Sequence, residues 1–438
     1  MNETKLYEHQ KQALKDTAIF NHVAFYHDMG LGKTFTGAEK LIKLDNKVNL
    51  VICQKSKIDD WIEHFKTYYP KYKIYDLTDN TKENKRRLEY GFWMNYRNNS
   101  NFQSVLIINY ELAFRRSELL ELKNFTLMLD ESSMIQNEQA KRSKFILKMQ
   151  PKNVILLSGT PTGGKYENLW SQLNLLGWNI NKKLFYKQYV DFHYEDNNGF
   201  PLMIIDGYKN EERLKRKMRE HGCHFLKTDE VFDLPEQIHQ TISVHTTKEY
   251  RIFKKDCICE VDGTELVGDT TLTKMLYERQ LCGHYNAEKL TAFKDLVEST
   301  NDRLIVFYNF WDELQAMQDI LLDIDFNEYS KRFSVVNGKD KHLLNYDTKN
   351  NSITFIQYQA GAMGLNLQKA NKIIYFTPPL SSELFEQSKK RIHRIGQKST
   401  CFYYYLTCKN SIEEKIYRTL KMRKDYTEAL FEQEVSDE

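Results

Sequence analysis

The sequence predicts an α/β protein of two lobes, each built on a parallel β-sheet, with helical insertions between the lobes. Two series of short, continuously apolar runs are the first observation, because strands buried on both faces of a parallel sheet are apolar throughout. Helix-compatible stretches between the runs are the second, since alternating strands and helices form right-handed βαβ units. The third is the length of 438 residues, which suggests two or three domains.

The apolar runs fall into two groups of five, separated by a long charged segment. In the N-terminal half they are residues 22–26, 48–53, 104–109, 125–130 and 153–158. In the C-terminal half they are residues 303–308, 333–336, 352–357, 372–376 and 402–406. The segment 163–300 is mostly helix-compatible. We therefore expect one lobe with a helical protrusion at 1–230, and a second at 231–438 with an N-terminal helical insertion and a C-terminal helix.

Composition and charge exclude several classes of protein. Aromatic residues make up 13% of the chain, which argues against disorder. The net charge of +3 excludes a polybasic or polyacidic tail protein and does not by itself indicate nucleic-acid binding. No apolar run approaches the roughly 18 residues of a membrane span, and the N-terminus lacks a signal-peptide pattern. We expect a soluble cytoplasmic protein with no membrane partner.

Cysteine usage favours a reducing compartment. The seven cysteines include no CxxC pair, so a disulfide framework is not expected. The nearest approach to a metal pattern is Cys257-x-Cys259 followed by Cys282-x-His284. Its spacing fits no standard zinc site, and buried apolar thiols are the simpler interpretation.

The segment HVAFYHDMGLGKTFTGAEKLI, residues 22–42, predicts a nucleotide site. An apolar run is followed by a glycine-containing turn and then by a helix that begins near Lys33. Gly30 and Gly32 allow successive backbone N–H groups to face phosphate oxygens, and the helix adds the positive end of its dipole. Lys33 would then reach the β and γ phosphates of ATP, and the Thr34 hydroxyl would bind Mg²⁺.

An acidic pair further along the chain complements this loop. Asp130 and Glu131 follow the apolar run at 125–130. Carboxylates at the C-terminal edge of a parallel strand face the ligand crevice of an open α/β sheet. Asp130 would hold Mg²⁺ through water, and Glu131 would orient and deprotonate the attacking water. The alternative is an Asp-Glu helix cap with serine neighbours.

Nine segments, in order, resemble the motifs of the Swi/Snf-type translocases, helicase-like ATPases of superfamily two. They are LYEHQKQAL (the Q motif), DMGLGKT (motif I), VICQKSKIDDWIEHFKTYYP (motif Ia and a Trp-containing helix), INYE (Ib), DESS (II), LLSGTPTGGKYENLWSQLNLL (III), RLIVFYNF (IV), QAGAMGLNLQKANKIIYF (V) and EQSKKRIHRIGQ (VI). The family also lacks the first glycine of the strict phosphate-loop pattern, the place where His27 stands here. Two departures from the family are Gln54, in place of proline, and the pair Ser132-Ser133, in place of a pair such as Ala-His.

The resemblance implies two RecA-like lobes, with ATP hydrolysed in the cleft between them, and it assigns residues to roles. For ATP binding these are Gln10 as the adenine reader, Met29, Gly30, Leu31, Gly32, Lys33 and Thr34. For catalysis they are Lys33, Asp130, Glu131, Arg391 and Arg394, with Mg²⁺ held by Thr34 and Asp130. The two arginines would act as arginine fingers, on one face of a helix-like segment. The alternative for them is surface ion pairing.

Two further groups of residues follow from the resemblance. Coupling of the ATP state to nucleic acid is implied for Ser158, Gly159, Thr160 and Gly364. Contacts to the phosphodiester backbone are implied for Lys55, Ser56, Tyr110, Asn309, Gly361 and Asn366. For both groups the alternative is an ordinary turn or core position.

The implied function is that of a nucleic-acid-stimulated ATPase, a DNA translocase that uses ATP and Mg²⁺. It would move along duplex DNA through backbone contacts with little sequence preference, and remodel protein–DNA complexes or branched DNA. Two alternatives remain: a strand-separating DNA helicase, and a nucleotide-gated nucleic-acid-binding scaffold without turnover. The short chain resembles stand-alone members from bacteria and bacteriophages, so we expect a targeting partner protein and the cytoplasm of a bacterial or phage-infected cell.

Overall fold

Two seven-stranded sheets organise the chain. The computed structural model describes residues 6–78, 83–98, 102–197, 200–361 and 365–431. The chain divides into a first unit, which runs to Val231 and takes in the chain again from Asp425, and a second unit, Phe232–Lys424.

The first unit alternates strands and helices. Its described helices are α1 (Glu8–Asp16), α2 (Lys33–Lys43), α3 (Ile58–Tyr68), α4 (Glu83–Arg97), α5 (Tyr110–Ala113), α6 (Lys141–Ile146), α7 (Trp170–Leu175), α8 (Lys182–Tyr189) and α9 (Glu211–Glu220). Its described strands are β1 (His22–His27), β2 (Val48–Cys53), β3 (Lys73–Asp76), β4 (Ser104–Asn109), β5 (Thr126–Asp130), β6 (Asn153–Ser158), β7 (Val190–Asn197), β8 (Phe200–Tyr208) and β9 (Cys223–Leu226).

The first sheet is wholly parallel, in the order β3-β4-β2-β5-β6-β1-β9. Strand β2 shows why its strands are apolar throughout. Leu50 and Ile52 pack into the core on one face, and Val51 and Cys53 into the core on the other. Burying each such aliphatic side chain stabilises the fold by roughly 1.5 to 3 kcal/mol. Because the strands are parallel, their carboxyl ends meet at one edge.

The second unit repeats this plan. Its described helices are α10 (Lys248–Asp256), α11 (Thr271–Cys282), α12 (Ala287–Glu298), α13 (Trp311–Leu322), α14 (Phe326–Tyr329), α15 (Leu344–Thr348), α16 (Tyr358–Gly361), α17 (Ser382–Lys389) and α18 (Ile412–Phe431), the last of which runs past the boundary of the unit. Its described strands are β10 (Gln237–Val244), β11 (Ile258–Val261), β12 (Thr264–Val267), β13 (Leu304–Tyr308), β14 (Phe333–Val336), β15 (Lys341–His342), β16 (Ile353–Gln357), β17 (Lys372–Tyr375) and β18 (Cys401–Cys408).

The second sheet has the order β10-β18-β17-β13-β16-β14-β15, and only the short edge strand β15 is antiparallel to its neighbour. The prediction of an α/β protein with two parallel sheets is therefore confirmed. The expectation of a mostly helical segment at 163–300 was incomplete. That segment also contains two antiparallel hairpins, β7–β8 and β11–β12, and the edge strands β9 and β10. Among the residues described, every helix is too short or too polar to cross a lipid bilayer.

Candidate functional site

The loop between β1 and α2 has the backbone of a phosphate loop. Gly30 has φ 92° and Gly32 has φ 71°, values in the left-handed region that favours glycine. Gly32 also precedes the first residue of α2 as its N-cap. A Cβ atom at Gly32 would lie 2.4 Å from Nε2 of Gln10, so a side chain there would displace the Gln10 amide in addition to straining the backbone.

Hydrogen bonds to residues from other parts of the unit hold this loop at both ends. The buried Gln10 of α1 donates from Nε2 to the carbonyl oxygens of Leu31 and Gly32, at 3.2 Å each. At the other end, Oδ2 of Asp28 accepts hydrogen bonds from the backbone N–H of Thr228 (3.1 Å) and from its hydroxyl (3.2 Å). Gln10 was predicted as an adenine reader; in this structure its amide supports the loop.

Lys33, the first residue of α2, reaches back across the loop. Its Nζ donates to the carbonyl oxygens of His27 at 2.7 Å and Asp28 at 3.2 Å. It also lies beside the end of β6, since a Cβ atom on Gly159 would be 3.3 Å from Nζ of Lys33 and 3.2 Å from Cγ of Met29. The structure thus brings together the predicted loop residues and the predicted segment at Gly159.

The acidic pair lies at the carboxyl end of β5. Asp130 is the last residue of the strand, and its Oδ2 accepts a hydrogen bond of 2.8 Å from the indole Nε1 of Trp61. Glu131 has the left-handed φ of 59°, and its Oε1 accepts hydrogen bonds from the hydroxyls of Ser158 (2.8 Å) and Ser133 (3.1 Å). Both serines bind the same oxygen of Glu131, which orients the carboxylate.

Burial favours proton exchange at this pair. Burial raises the pKa of Asp130, and the Trp61 hydrogen bond and the Lys33 charge oppose that rise. Burial also raises the pKa of Glu131, opposed by Lys33 and by the Ser158 hydrogen bond. A carboxylate whose pKa is raised toward neutrality is a better base than an ordinary surface carboxylate.

Ser158 connects Glu131 to the loop after β6. Its hydroxyl donates to Glu131 and accepts a 3.2 Å hydrogen bond from the backbone N–H of Thr160. The carboxylate of Glu131 and the backbone of this predicted coupling segment are therefore joined through one side chain. The fourth predicted coupling residue, Gly364, lies outside the described residues.

A second connection runs through the buried Gln172 of α7. Its Oε1 accepts hydrogen bonds from the hydroxyls of Ser132 (2.7 Å) and Tyr26 (3.1 Å), and its Nε2 donates to the carbonyl of Pro161 (2.7 Å). Ser132, the residue next to the acidic pair, is thereby tied to the loop after β6. The departure DESS from the family pattern therefore has a structural role in this chain.

The predicted nucleic-acid contacts of the first unit differ in exposure. Lys55 and Ser56 are exposed at the carboxyl end of β2. Tyr110 is fully buried, and its hydroxyl donates to the carbonyl oxygens of Asp130 (3.0 Å) and Glu131 (3.3 Å). Its side chain therefore supports the acidic pair in this structure, and its hydroxyl is not presented to a phosphate.

In the second unit, Asn309 follows β13 and Gly361 ends α16. The Nδ2 of Asn309 donates to the hydroxyl of Thr377 (2.8 Å) and the carbonyl of Pro378 (3.1 Å), so this side chain joins two strand ends. Asn366 is exposed, and its Oδ1 accepts a hydrogen bond from Arg394. A predicted DNA contact and a predicted catalytic arginine are thus direct neighbours.

The two arginines do not share a helix face, contrary to the expectation. Helix α17 ends at Lys389, and both arginines lie in the turn that follows. Nε2 of Gln397 donates to the carbonyl oxygens of Ala370 (2.8 Å) and Gln368 (3.2 Å), which holds this turn against the preceding segment. Arg391 is 4% exposed, whereas Arg394 is partly exposed and burial lowers the pKa of its guanidinium.

The donor set of the first unit fits magnesium. Mg²⁺ prefers oxygen ligands, commonly one or two protein groups together with phosphate oxygens and water. Asp130 supplies a carboxylate held by Trp61, and Thr34 is the partly exposed second residue of α2. Both residues belong to elements that end or begin at the same edge of the sheet.

The cysteines are mostly buried thiols, in line with the simpler interpretation of their spacing. All seven are free; six are buried and Cys257 is partly exposed. Within the described residues, the close group of three possible metal ligands is Cys282, Cys408 and Glu413. The ammonium of Lys289 lies 2.6 Å from Glu413, so a lysine already neutralises this carboxylate.

Sequence reasoning gave no role to Trp61, Thr228 or Gln172, although all three contact the site. Gln172 carried a detectable signal, because a polar residue on the apolar face of LWSQLNLL requires buried hydrogen-bond partners. Trp61 lies in the helix after motif Ia, where the resemblance implies no role for it. Thr228 carried no pattern.

Two domain families match the chain in succession. The SNF2-related domain matches residues 16–287, and the helicase conserved C-terminal domain matches residues 288–396. An ISWI chromatin-remodeling complex ATPase of Saccharomyces cerevisiae is 25% identical over 89% of this chain and 37% of its own length. A putative ATP-dependent helicase/translocase of Bacillus subtilis is 24% identical over 93% of this chain and 46% of its own length.

The chain thus spans less than half the length of these relatives. Among solved structures, the Sulfolobus solfataricus SWI2/SNF2 ATPase core in complex with dsDNA is 19% identical, with a TM-score of 0.44 over 97% of this chain and 93% of that one. The SNF2-related domain alone covers more than half of the sequence, and the motif resemblance is confirmed by it. This chain belongs to the SNF2-related family of helicase-like ATPases.

Proposed function

We propose that this protein is an ATP-driven DNA translocase of Swi/Snf type, which hydrolyses ATP with Mg²⁺ and moves along duplex DNA. The observation that carries the proposal is the meeting of Lys33, Asp130 and Glu131 at one edge of the first sheet. A loop with glycines at positive φ, followed by a helix N-terminus, favours a phosphate group.

The phosphate loop and the acidic pair divide the binding of ATP and Mg²⁺ between them. Lys33 and the first N–H groups of α2 bind the phosphates, and Gln10 and Thr228 keep the loop in place. Thr34 and Asp130 would hold Mg²⁺, which supplies neutralisation of phosphate charge when bound.

Glu131 is proposed as the base. Ser133 and Ser158 both occupy Oε1, so Oε2 is the oxygen that we assign to the attacking water. Its raised pKa suits proton acceptance. Because Ser158 also binds the backbone of Thr160, a change of charge at Glu131 would alter the loop after β6.

Arg391 and Arg394 are proposed to stabilise the charge that develops on the transferring phosphoryl group. The Arg394 guanidinium remains a cation at neutral pH even with a lowered pKa, because its ordinary value is far above neutrality. Because Arg394 is hydrogen-bonded to Asn366, binding of DNA at Asn366 would directly affect the position of this catalytic arginine.

Duplex DNA is the proposed track. Exposed Lys55, Ser56 and Asn366 offer one cation and two polar groups to phosphates, and such contacts carry little sequence information. The modest net charge of +3 is compatible with this, since only the track-binding surface need be positive. Remodelling of protein–DNA or branched DNA, a targeting partner protein, and the cytoplasm of a bacterial or phage-infected cell complete the proposal.

The test is steady-state ATP turnover with no nucleic acid, single-stranded DNA, duplex DNA, structured RNA and a branched duplex, each beside Lys33→Ala. We expect strong stimulation by duplex DNA and no turnover by the variant. Stimulation by single strands alone would replace the proposal with a strand-separating helicase. Silence with every nucleic acid, with nucleotide binding retained, would indicate a non-hydrolysing scaffold.

A further inference from the structure

The buried indole of Trp61 is hydrogen-bonded to one of the two acidic residues of the site. It belongs to the first turn of α3, is 1% exposed, and packs against the ring of Phe65 at a centroid distance of 5.8 Å. Buried tryptophans generally find an acceptor for their N–H group. Here the acceptor is the carboxylate Oδ2 of Asp130, at 2.8 Å.

Asp130 is held at a second point as well. The hydroxyl of Tyr110, the first residue of α5, donates to its carbonyl oxygen at 3.0 Å. Tyr110 thus fixes the main chain at the end of β5, and Trp61 fixes the end of the side chain. A carboxylate at a strand end can otherwise turn about two side-chain bonds. With one oxygen occupied by the indole, Oδ1 has a defined direction.

We propose that Trp61 is a positioning residue for magnesium, acting through Asp130: its indole N–H holds one carboxylate oxygen so that the other meets the metal or its water shell. The inference rests on the proposed function, because it requires that nucleotide bind at this edge with Mg²⁺. Outer hydrogen-bond partners of metal-binding carboxylates typically change metal affinity by about 10- to 100-fold when removed.

A purely structural role for Trp61 makes a different prediction. Loss of core packing would weaken the whole nucleotide site, with or without metal. Loss of the positioning bond would weaken only the part of nucleotide binding that depends on Mg²⁺. The two roles therefore separate in the ratio of nucleotide affinities measured in excess Mg²⁺ and in excess EDTA.

The experiment measures the affinity of a fluorescent ATP analogue under both conditions for Trp61→Phe, which keeps an aromatic ring and removes the N–H donor. The matched control is Trp170→Phe, in the same unit, whose lost N–H bonds the carbonyl of Ile180 at 2.9 Å. Thermal unfolding of the nucleotide-free protein reports folding of both variants. If Trp61→Phe does not fold, benzothienylalanine at position 61 keeps the ring shape and replaces the N–H with sulfur.

For Trp61→Phe we expect the Mg²⁺-dependent gain in affinity to fall about tenfold, with affinity in EDTA unchanged. Trp170→Phe should resemble the wild type under both conditions. Asp130→Asn should lose the same gain, and combining it with Trp61→Phe should cause no further loss, because both act on one interaction.

Three results would overturn the inference. An unchanged Mg²⁺-dependent gain in Trp61→Phe would show that the indole does not position Asp130. An equal loss in Mg²⁺ and in EDTA would show a structural role only. If wild-type protein bound nucleotide no better with Mg²⁺ than with EDTA, or no better than Lys33→Ala, the proposed site itself would fail, and the inference with it.

Discussion

The two seven-stranded sheets share one architecture and use their carboxyl ends differently. In the first unit, Glu131 follows β5, keeps part of its surface exposed, and accepts two serine hydroxyls on one oxygen. In the second unit, Glu313 lies near the end of β13 and is fully enclosed. Its Oε2 accepts hydrogen bonds from the backbone N–H of Asn309 (2.8 Å) and from the hydroxyl of Thr377 (3.0 Å).

The comparison teaches that a carboxylate at a strand end can serve either chemistry or folding. Glu413 of the second unit belongs with Glu313, since it is buried and paired with Lys289. A carboxylate with an exposed face can reach a ligand, whereas an enclosed one can only satisfy its neighbours. Substitutions in the first group should therefore change activity, and those in the second should change stability.

The largest effect should come from Glu131→Gln. The amide cannot accept the proton of the attacking water, so we expect kcat to fall by about 10⁴-fold while ATP and DNA still bind. Turnover and binding are measured separately, the latter with labelled DNA and nucleotide. Loss of ATP binding would mean that Glu131 is not a dedicated base. A large loss of thermal stability in Glu131→Gln would show that Glu131, like Glu313, mainly stabilises the fold.

Arg394→Ala should have the second largest effect. We expect kcat to fall by about 10³-fold with ATP affinity little changed, because the cation acts on charge that develops during phosphoryl transfer. The companion variant Asn366→Ala removes the partner of this arginine. We expect it to reduce DNA stimulation more than basal turnover. A large loss of ATP affinity in Arg394→Ala would instead make that residue a ground-state binder.

Glu413→Gln tests the second half of the comparison. It leaves the wholly buried Lys289 ammonium without a counter-charge, which should cost about 3 kcal/mol of unfolding free energy. Chemical denaturation of the purified protein gives this value. Asp302→Asn, which removes the exposed partner of Lys372, is the control and should be nearly neutral. Equal stability of the two variants would contradict the structural role of Glu413.

Ser158→Ala should have the smallest effect, about a tenfold fall in kcat, because it removes one of two hydroxyls that orient the Glu131 carboxylate. Basal and DNA-stimulated turnover are compared. If Ser158 also couples hydrolysis to DNA, stimulation should fall more than basal rate. Ser171→Ala, a buried serine on α7, serves as the control for a lost hydroxyl in the same unit.

The strands most accessible to sequence reasoning were the interior ones. All ten apolar runs became strands, and the runs at β2 and β4 are buried at every position. Within the two large sheets, the strands that escaped prediction are the four edge strands β3, β9, β10 and β15, and the two small hairpins β7–β8 and β11–β12 also escaped it. Strand β10, QIHQTISV, is exposed at most positions, so it shows no continuous apolar run to detect.

The residues of the site also divide into those that the sequence predicts and those that it does not. The residues with backbone requirements or fixed spacing, such as Gly32, Lys33 and Glu131, were identified from the sequence. Supports that act across the fold were not, because Trp61 and Thr228 reach their partners from distant parts of the chain. The prediction for the arginine segment was wrong: α17 ends at Lys389, and the residues after it form a turn in which Gln397 donates to the carbonyl of Ile392.

The distribution of thiols has a practical consequence. Six cysteines are enclosed and only Cys257 is partly exposed. Replacing Cys257 alone should leave a chain that reacts slowly with maleimide dyes. New surface cysteines, one in each unit, would then accept a donor and an acceptor fluorophore, and single-molecule energy transfer would measure whether the distance between the units changes when ATP is added.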